Sequence, residues 1–143
     1  MTTKFTSDQF VPTQWNTAED KSKFANHMIR FIEGDFKDTL FPKWFYQRLS
    51  NTFGHIAHYD ISGFYYTWFS NIKTKVSFLE NLIEHGTQAP GDPAFTYRDV
   101  EHVLANYVRK AGYLNKYQKL LTNEIEIRER DELKRLIKKY GTI

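Results

Sequence analysis

Apolar residues recur along this chain mostly at the three-and-four spacing of a helix face. The clearest run is Ile61, Tyr65, Trp68, Ile72, Val76, Leu79 and Ile83, which predicts one long helix from Ile61 to about His85. Asp60 stands where an N-cap belongs, and Gly86 stands where the helix should stop. Upstream, Phe24, Met28, Phe31 and Ile32 mark one face of a helix from about Thr17 to Glu33. Asn16 and Glu19 have capping-box spacing before it, Trp15 is placed to act as a hydrophobic staple, and Gly34 follows the last apolar position. Between these two, Phe41, Phe45, Leu49, Phe53 and Ile56 define a helix that opens at Pro42 and runs towards His58.

The stretch Gly86-Thr87-Gln88-Ala89-Pro90-Gly91-Asp92-Pro93-Ala94-Phe95 reads as a loop. Beyond it, Thr96 and Asp99 have capping-box-like spacing for a helix whose Val100, Val103, Leu104, Tyr107 and Val108 face inward until Gly112. The last region, about Asn115 to Tyr140, carries one stripe at Tyr117, Leu120, Leu121 and Ile125 and another at Leu133, Leu136, Ile137 and Tyr140. The charged, briefly alternating segment Glu124 to Glu132 lies between them, so the pattern admits one long helix, two helices, or a short strand inserted between helices. Together these elements predict an all-α fold: a single compact domain of four to six helices over residues 16–143, with the helix near residues 61–85 at its centre. Residues 1–15, with Pro12 and no period, form an irregular lead-in.

Length agrees with one domain, since 143 residues can bury a core of roughly 70% of the unfolded surface. An aromatic content of 17% with only 7 glycines and 4 prolines argues for a packed globule rather than a disordered chain. The absence of cysteine removes disulfides, thiolate zinc sites and cysteine nucleophiles, and it fits a reducing, cytoplasmic setting. No apolar run has the length of a membrane span, and the first residues lack the pattern of a secretory signal, so no membrane association is expected. Net charge is +3, unevenly spread: from Arg109 onward ten Lys or Arg stand against five Asp or Glu, leaving residues 1–108 slightly acidic.

Candidate chemistry is sparse. In Gly54-His55-Ile56-Ala57-His58-Tyr59-Asp60, two histidines three apart could face one metal ion if the second helix continues through them, which would make a metal-dependent enzyme. On that helix Asp60 points the wrong way to join them, whereas it directly precedes the next helix and can cap it. The stretch therefore reads as a helix-to-helix elbow. His27, His85 and His102 lie on other predicted helices, and no glycine-rich phosphate loop, serine elbow, HExxH pair or calcium loop is present. No catalytic residue, metal or cofactor is expected.

Two features point to binding instead. Phe64, Tyr65, Tyr66, Trp68 and Phe69 cover more than half the circumference of a helix, wider than one apolar stripe, so either several neighbouring elements bury it, or Tyr66 and Phe69 reach a partner or a second copy of the chain. At the other end, Arg128, Arg130, Lys134, Arg135, Lys138 and Lys139 could neutralise nucleic-acid phosphates. The bland alternative is a solvated helix in which Glu124 pairs with Arg128 and Asp131 with Arg135. A capped helix, a glycine turn and another helix between Thr96 and Leu114 suggest a helix-turn-helix rhythm, which is common to all-α proteins.

The expected function is thus non-enzymatic binding of a protein partner through aromatic and basic helix faces, with self-association, in the manner of a phage or mobile-element accessory protein. The alternatives are nucleic-acid binding by the basic C-terminal helices and a metal-dependent enzyme at His55 and His58.

Overall fold

The computed structural model describes residues 4–53, 60–88 and 91–141. Among them are six α-helices and no strand, so the chain is all-α as its periodicity predicts. The helices are α1 (Ala18–Glu33), α2 (Lys43–Phe53), α3 (Ile61–Phe69), α4 (Ile72–Gln88), α5 (Arg98–Ala111) and α6 (Tyr113–Tyr140). Short 3-10 turns occupy Ser7–Gln9 and Asp38–Leu40.

The core forms around α1, where Phe24, Ala25, Met28, Ile29, Phe31 and Ile32 are all buried. Its capping box lies one residue later than the spacing of Asn16 and Glu19 suggests: the Asp20 amide donates to Thr17 Oγ1 at 3.0 Å, and the Thr17 amide donates to Asp20 Oδ2 at 2.9 Å. Trp15 is no staple, being 75% exposed. After Gly34, Asp35 and Phe36 both adopt left-handed backbone angles, φ 59° and 57°, at a cost of order 1 kcal/mol or more each. That reversal turns Phe36 back beneath the helix, where it is fully buried and stacks on Phe69 at 5.3 Å between ring centroids. Phe31 meets the same Phe69 edge-on at 4.9 Å, and Phe78 meets it at 4.9 Å. Burying aromatic rings of this size, at about 2 kcal/mol or more each, offsets the local backbone cost.

The helix predicted without interruption from Ile61 to His85 is broken at Ser70 and Asn71. Asn71 is the cause: its side-chain oxygen accepts the Thr74 amide at 2.9 Å and so starts α4 as a new helix. Asp60 caps α3 by accepting the Gly63 amide, as its position implies. The break lets Phe69 on α3 and Phe78 on α4 converge on Phe36. The deepest burial belongs to α1 rather than to this pair.

Gly86 does not end α4, which continues to Gln88. It is where α5 crosses: a Cβ at Gly86 would stand 2.4 Å from the Glu101 carbonyl oxygen and 2.6 Å from Ala105 Cβ. The lead-in is held to the body: Phe5 and Phe10 are buried, and Asn26 Oδ1 accepts the Phe5 amide at 2.9 Å.

Candidate interaction surface on the projecting helix

Gly112, in the left-handed conformation at φ 75°, closes α5 and lets α6 begin at the next residue. The region that pattern left open among one helix, two helices or an inserted strand is one helix as far as Tyr140. Its residues explain this: Leu, Lys, Arg, Glu and Gln dominate, and these lose little rotamer freedom in a helix. Intrahelical ion pairs add support, Arg128 to Glu124 at 2.9 Å and Arg135 to Glu132 at 2.5 Å. Arg135 therefore pairs with Glu132 and not with Asp131 as four-residue spacing suggests. The hydrogen bond from Arg135 holds the Glu132 carboxyl below the usual range. Gly141 then stops the helix, its amide bonding the Ile137 carbonyl at 2.7 Å.

Only the first turns of α6 pack on the body. Tyr117 is buried, and Tyr113, Leu114 and Leu121 rest against the core. Two phenols tie these turns to the end of α1: Tyr113 donates to Glu33 Oε2 at 2.6 Å, and Tyr117 donates to Asp35 Oδ1 at 2.5 Å. Burial, reinforced by those carboxylates, pushes both phenol pKa values well above normal.

From Thr122 to Gly141 no side chain is buried, and only Glu124 and Leu136 are half-buried. About 28 Å of helix therefore stands in solvent. Ten large hydrophobic side chains are exposed among the described residues, and six of them, Leu120, Ile125, Ile127, Leu133, Ile137 and Tyr140, are on α6. The packed positions Tyr117 and Leu121 continue by steps of four into Ile125, Glu129, Leu133 and Ile137. One apolar line thus leaves the core and winds onto the free half, turning by about 40° per step.

The six basic residues singled out from sequence, Arg128, Arg130, Lys134, Arg135, Lys138 and Lys139, are all exposed on this free half. Charge is ordered along it: residues 124–132 carry five acids and two bases, whereas residues 133–140 carry four bases and no acid. The two aromatic candidates part company. Tyr66 is 73% exposed on α3, but Phe69 is 3% exposed, in the middle of the Phe31, Phe36 and Phe78 rings. Phe69 belongs to the core and cannot reach a partner, because the Phe64 and Phe69 side of α3 is packed by the chain itself while the Tyr66 side is left open.

His55 and His58 lie outside the described residues. Among the described residues, no three His, Cys, Asp or Glu side chains are grouped to hold a metal ion. His27 is fixed structurally, its Nε2 2.8 Å from the Leu40 carbonyl and its ring against Trp44 and Phe45. Burial lowers its pKa. His85 Nε2 approaches buried Glu101 at 3.4 Å, and burial raises the Glu101 pKa against the opposing effect of His85.

The polar cluster that sequence reasoning passed over is centred on Lys21. Fully buried, its ammonium donates to the Pro93 carbonyl at 2.8 Å, the Thr96 carbonyl at 2.9 Å and Asp99 Oδ1 at 3.0 Å. Asp99 Oδ2 also accepts the Val11 amide at 2.9 Å. Asp99 is therefore not the capping-box partner of Thr96; α5 starts after Tyr97, with the Arg98 amide bonding Thr96 Oγ1 at 3.3 Å. The signal was available, because Lys21 shares a stripe with Phe24 and Met28 on α1. With every proton directed at an acceptor, this lysine fastens the loop and the lead-in to the core.

No helix among the described residues is long and apolar enough to cross a membrane. Comparison of the chain with protein-family models, curated proteins and solved structures finds no match in any of the three.

Proposed function

We propose that this chain is a non-enzymatic interaction protein whose working surface is the free half of α6, and that this surface takes a protein partner. The observation that carries this reading is the concentration of exposed apolar side chains on one solvated helix. A solvated helix needs no such stripe for its own folding, and large apolar side chains left together in water mark contact surfaces. An acidic segment followed by a basic one beside the stripe suits a helical or grooved protein partner, held by apolar anchors and oriented by its charged rim. A cysteine-free composition supports a cytoplasmic setting.

The test is capture from the native cell with the full chain as bait, beside a Leu133→Glu, Ile137→Glu variant. A protein retained by the parent chain and lost from the variant is the expected result. Equal capture by both, or capture by neither, overturns the reading.

Nucleic-acid binding is the second reading, favoured by the exposure of all six basic residues on one helix. Its electrostatic footprint is weakened by the acidic segment that adjoins it. Real binding would fall steeply with added salt and would be abolished by charge reversal at Arg130, Arg135 and Lys139. Absence of binding to duplex and single-stranded nucleic acid at low salt eliminates it.

A further inference from the structure

Resting on the reading of α6 as the working surface, we propose that the partner is a second copy of this chain, paired by antiparallel contact between the free halves of two α6 helices. The contact surface is the side of the helix that carries Ile125, Glu129, Leu133, Leu136 and Tyr140. At 100° per residue these five fall within one arc of about 80°. Four are apolar, and Ile125, Leu133 and Tyr140 are each more than 40% exposed.

The order of charge selects the occupant and its direction. Residues 124–132 carry a net −3 and residues 133–140 a net +4. Two copies laid antiparallel place each acidic segment beside the other copy's basic segment, at both ends of the contact at once. Laid parallel, acid meets acid, base meets base, and Glu129 inside the stripe faces Glu129. With the crossing near Asp131, Glu129 instead lies level with Leu133 and Lys134 of the second copy. The two globular bodies then sit at opposite ends of the paired segment, where they do not compete for space. A seam of about 28 Å interrupted by one carboxylate makes a weak, reversible dimer, weakened further by salt because its charged flanks remain in water.

Sedimentation equilibrium on the purified full chain tests the pairing. The expected result is an average mass that rises with concentration from 17.0 kDa towards twice that value. A Leu133→Glu, Leu136→Glu variant should raise the dissociation constant by about 100-fold or more. Its circular dichroism should stay unchanged, since neither side chain is buried in the single chain.

Direction is read by oxidative cross-linking, which the cysteine-free sequence makes clean. Thr122→Cys and Tyr140→Cys lie on one side of the helix about 27 Å apart. An antiparallel pair forms the mixed disulfide when the two variants are combined, and neither variant alone forms a disulfide-linked dimer. A chain that stays monomeric at every concentration, a Leu133→Glu, Leu136→Glu variant that dimerises like the parent, or disulfides formed within each single variant each overturn the proposal. A monomeric chain that still captures a cellular protein through Leu133 and Ile137 overturns self-pairing alone. A dimer that captures no other cellular protein leaves self-pairing as the whole use of this surface.

Discussion

Tyr117 donates its phenolic hydrogen to Asp35 Oδ1 at 2.5 Å, joining the exposed middle residue of the turn that follows α1 to the one buried side chain of α6. The bond depends on an unusual backbone: Asp35 reaches α6 because it and Phe36 are both left-handed, so the chain doubles back where α1 ends. Replacing Tyr117 by Phe keeps the ring beside Phe36 and removes only the donor. Urea titration should show a loss of about 1 kcal/mol, because Asp35 is exposed enough for water to replace the lost partner. Asp35→Asn, which keeps a residue tolerant of the left-handed region, should add little to the Tyr117→Phe variant if the bond is the whole coupling.

Alkaline pH should loosen the same attachment. Burial and neighbouring carboxylates raise the pKa of Tyr113 and Tyr117 above the ordinary 10.0. Above pH 10 the folded chain keeps protons that the unfolded chain has released, so stability falls as pH rises through that range and is unaffected below it. Denaturant midpoints followed from neutral to alkaline pH should show this limb, and Tyr117→Phe should make it shallower.

Lys21→Met tests the buried ammonium. The substitution keeps an unbranched apolar side chain, one atom shorter, but strands the Pro93 and Thr96 carbonyls and leaves Asp99 without its cation. A loss of about 3 kcal/mol or more is expected in thermal or urea unfolding. Hydrogen exchange should locate part of the effect in residues 91–98 and around Val11, whose amide shares the same carboxylate. Unchanged stability would mean the lysine is replaceable packing.

Gly86→Ala should be destabilising despite the higher helix propensity of alanine. The added methyl meets the Glu101 carbonyl oxygen, which is backbone and cannot swing aside. Separation of α4 from α5 by a few tenths of an ångström or more should cost about 1–3 kcal/mol, read as a lower melting temperature.

Ile125→Ala and Ile137→Ala, by contrast, should leave the unfolding of the isolated chain nearly unchanged, within about 0.5 kcal/mol. Both side chains stand in water. Val100→Ala, on the fully buried face of α5, should cost several times more. Equal losses at the two kinds of site would show that the free half of α6 packs against the body in solution.

Much of this was legible in the residues themselves. Period, capping and turn chemistry determined the all-α class, the extents of α1 and α5, the cap at Asp60 and the loop after α4, because these depend on neighbours within a few positions. The apolar stripe of Leu133 and Tyr140 and the basic cluster beside it were also visible. What local pattern could not supply was which side chains another element reaches. Asn71 broke a helix whose apolar period runs through the break in phase, since a side-chain cap competes with the next backbone bond without disturbing spacing. Gly86 looks like a stop from sequence and is a crossing point in space. Phe69 and Tyr66, three residues apart on one helix, look alike as aromatics, yet one is in the core and the other is exposed. Sequence alone determined where the chain coils and where its charge lies. Tertiary structure decided that Lys21 is enclosed, that Phe69 is covered and that the second half of α6 is not, because burial follows from the approach of distant segments.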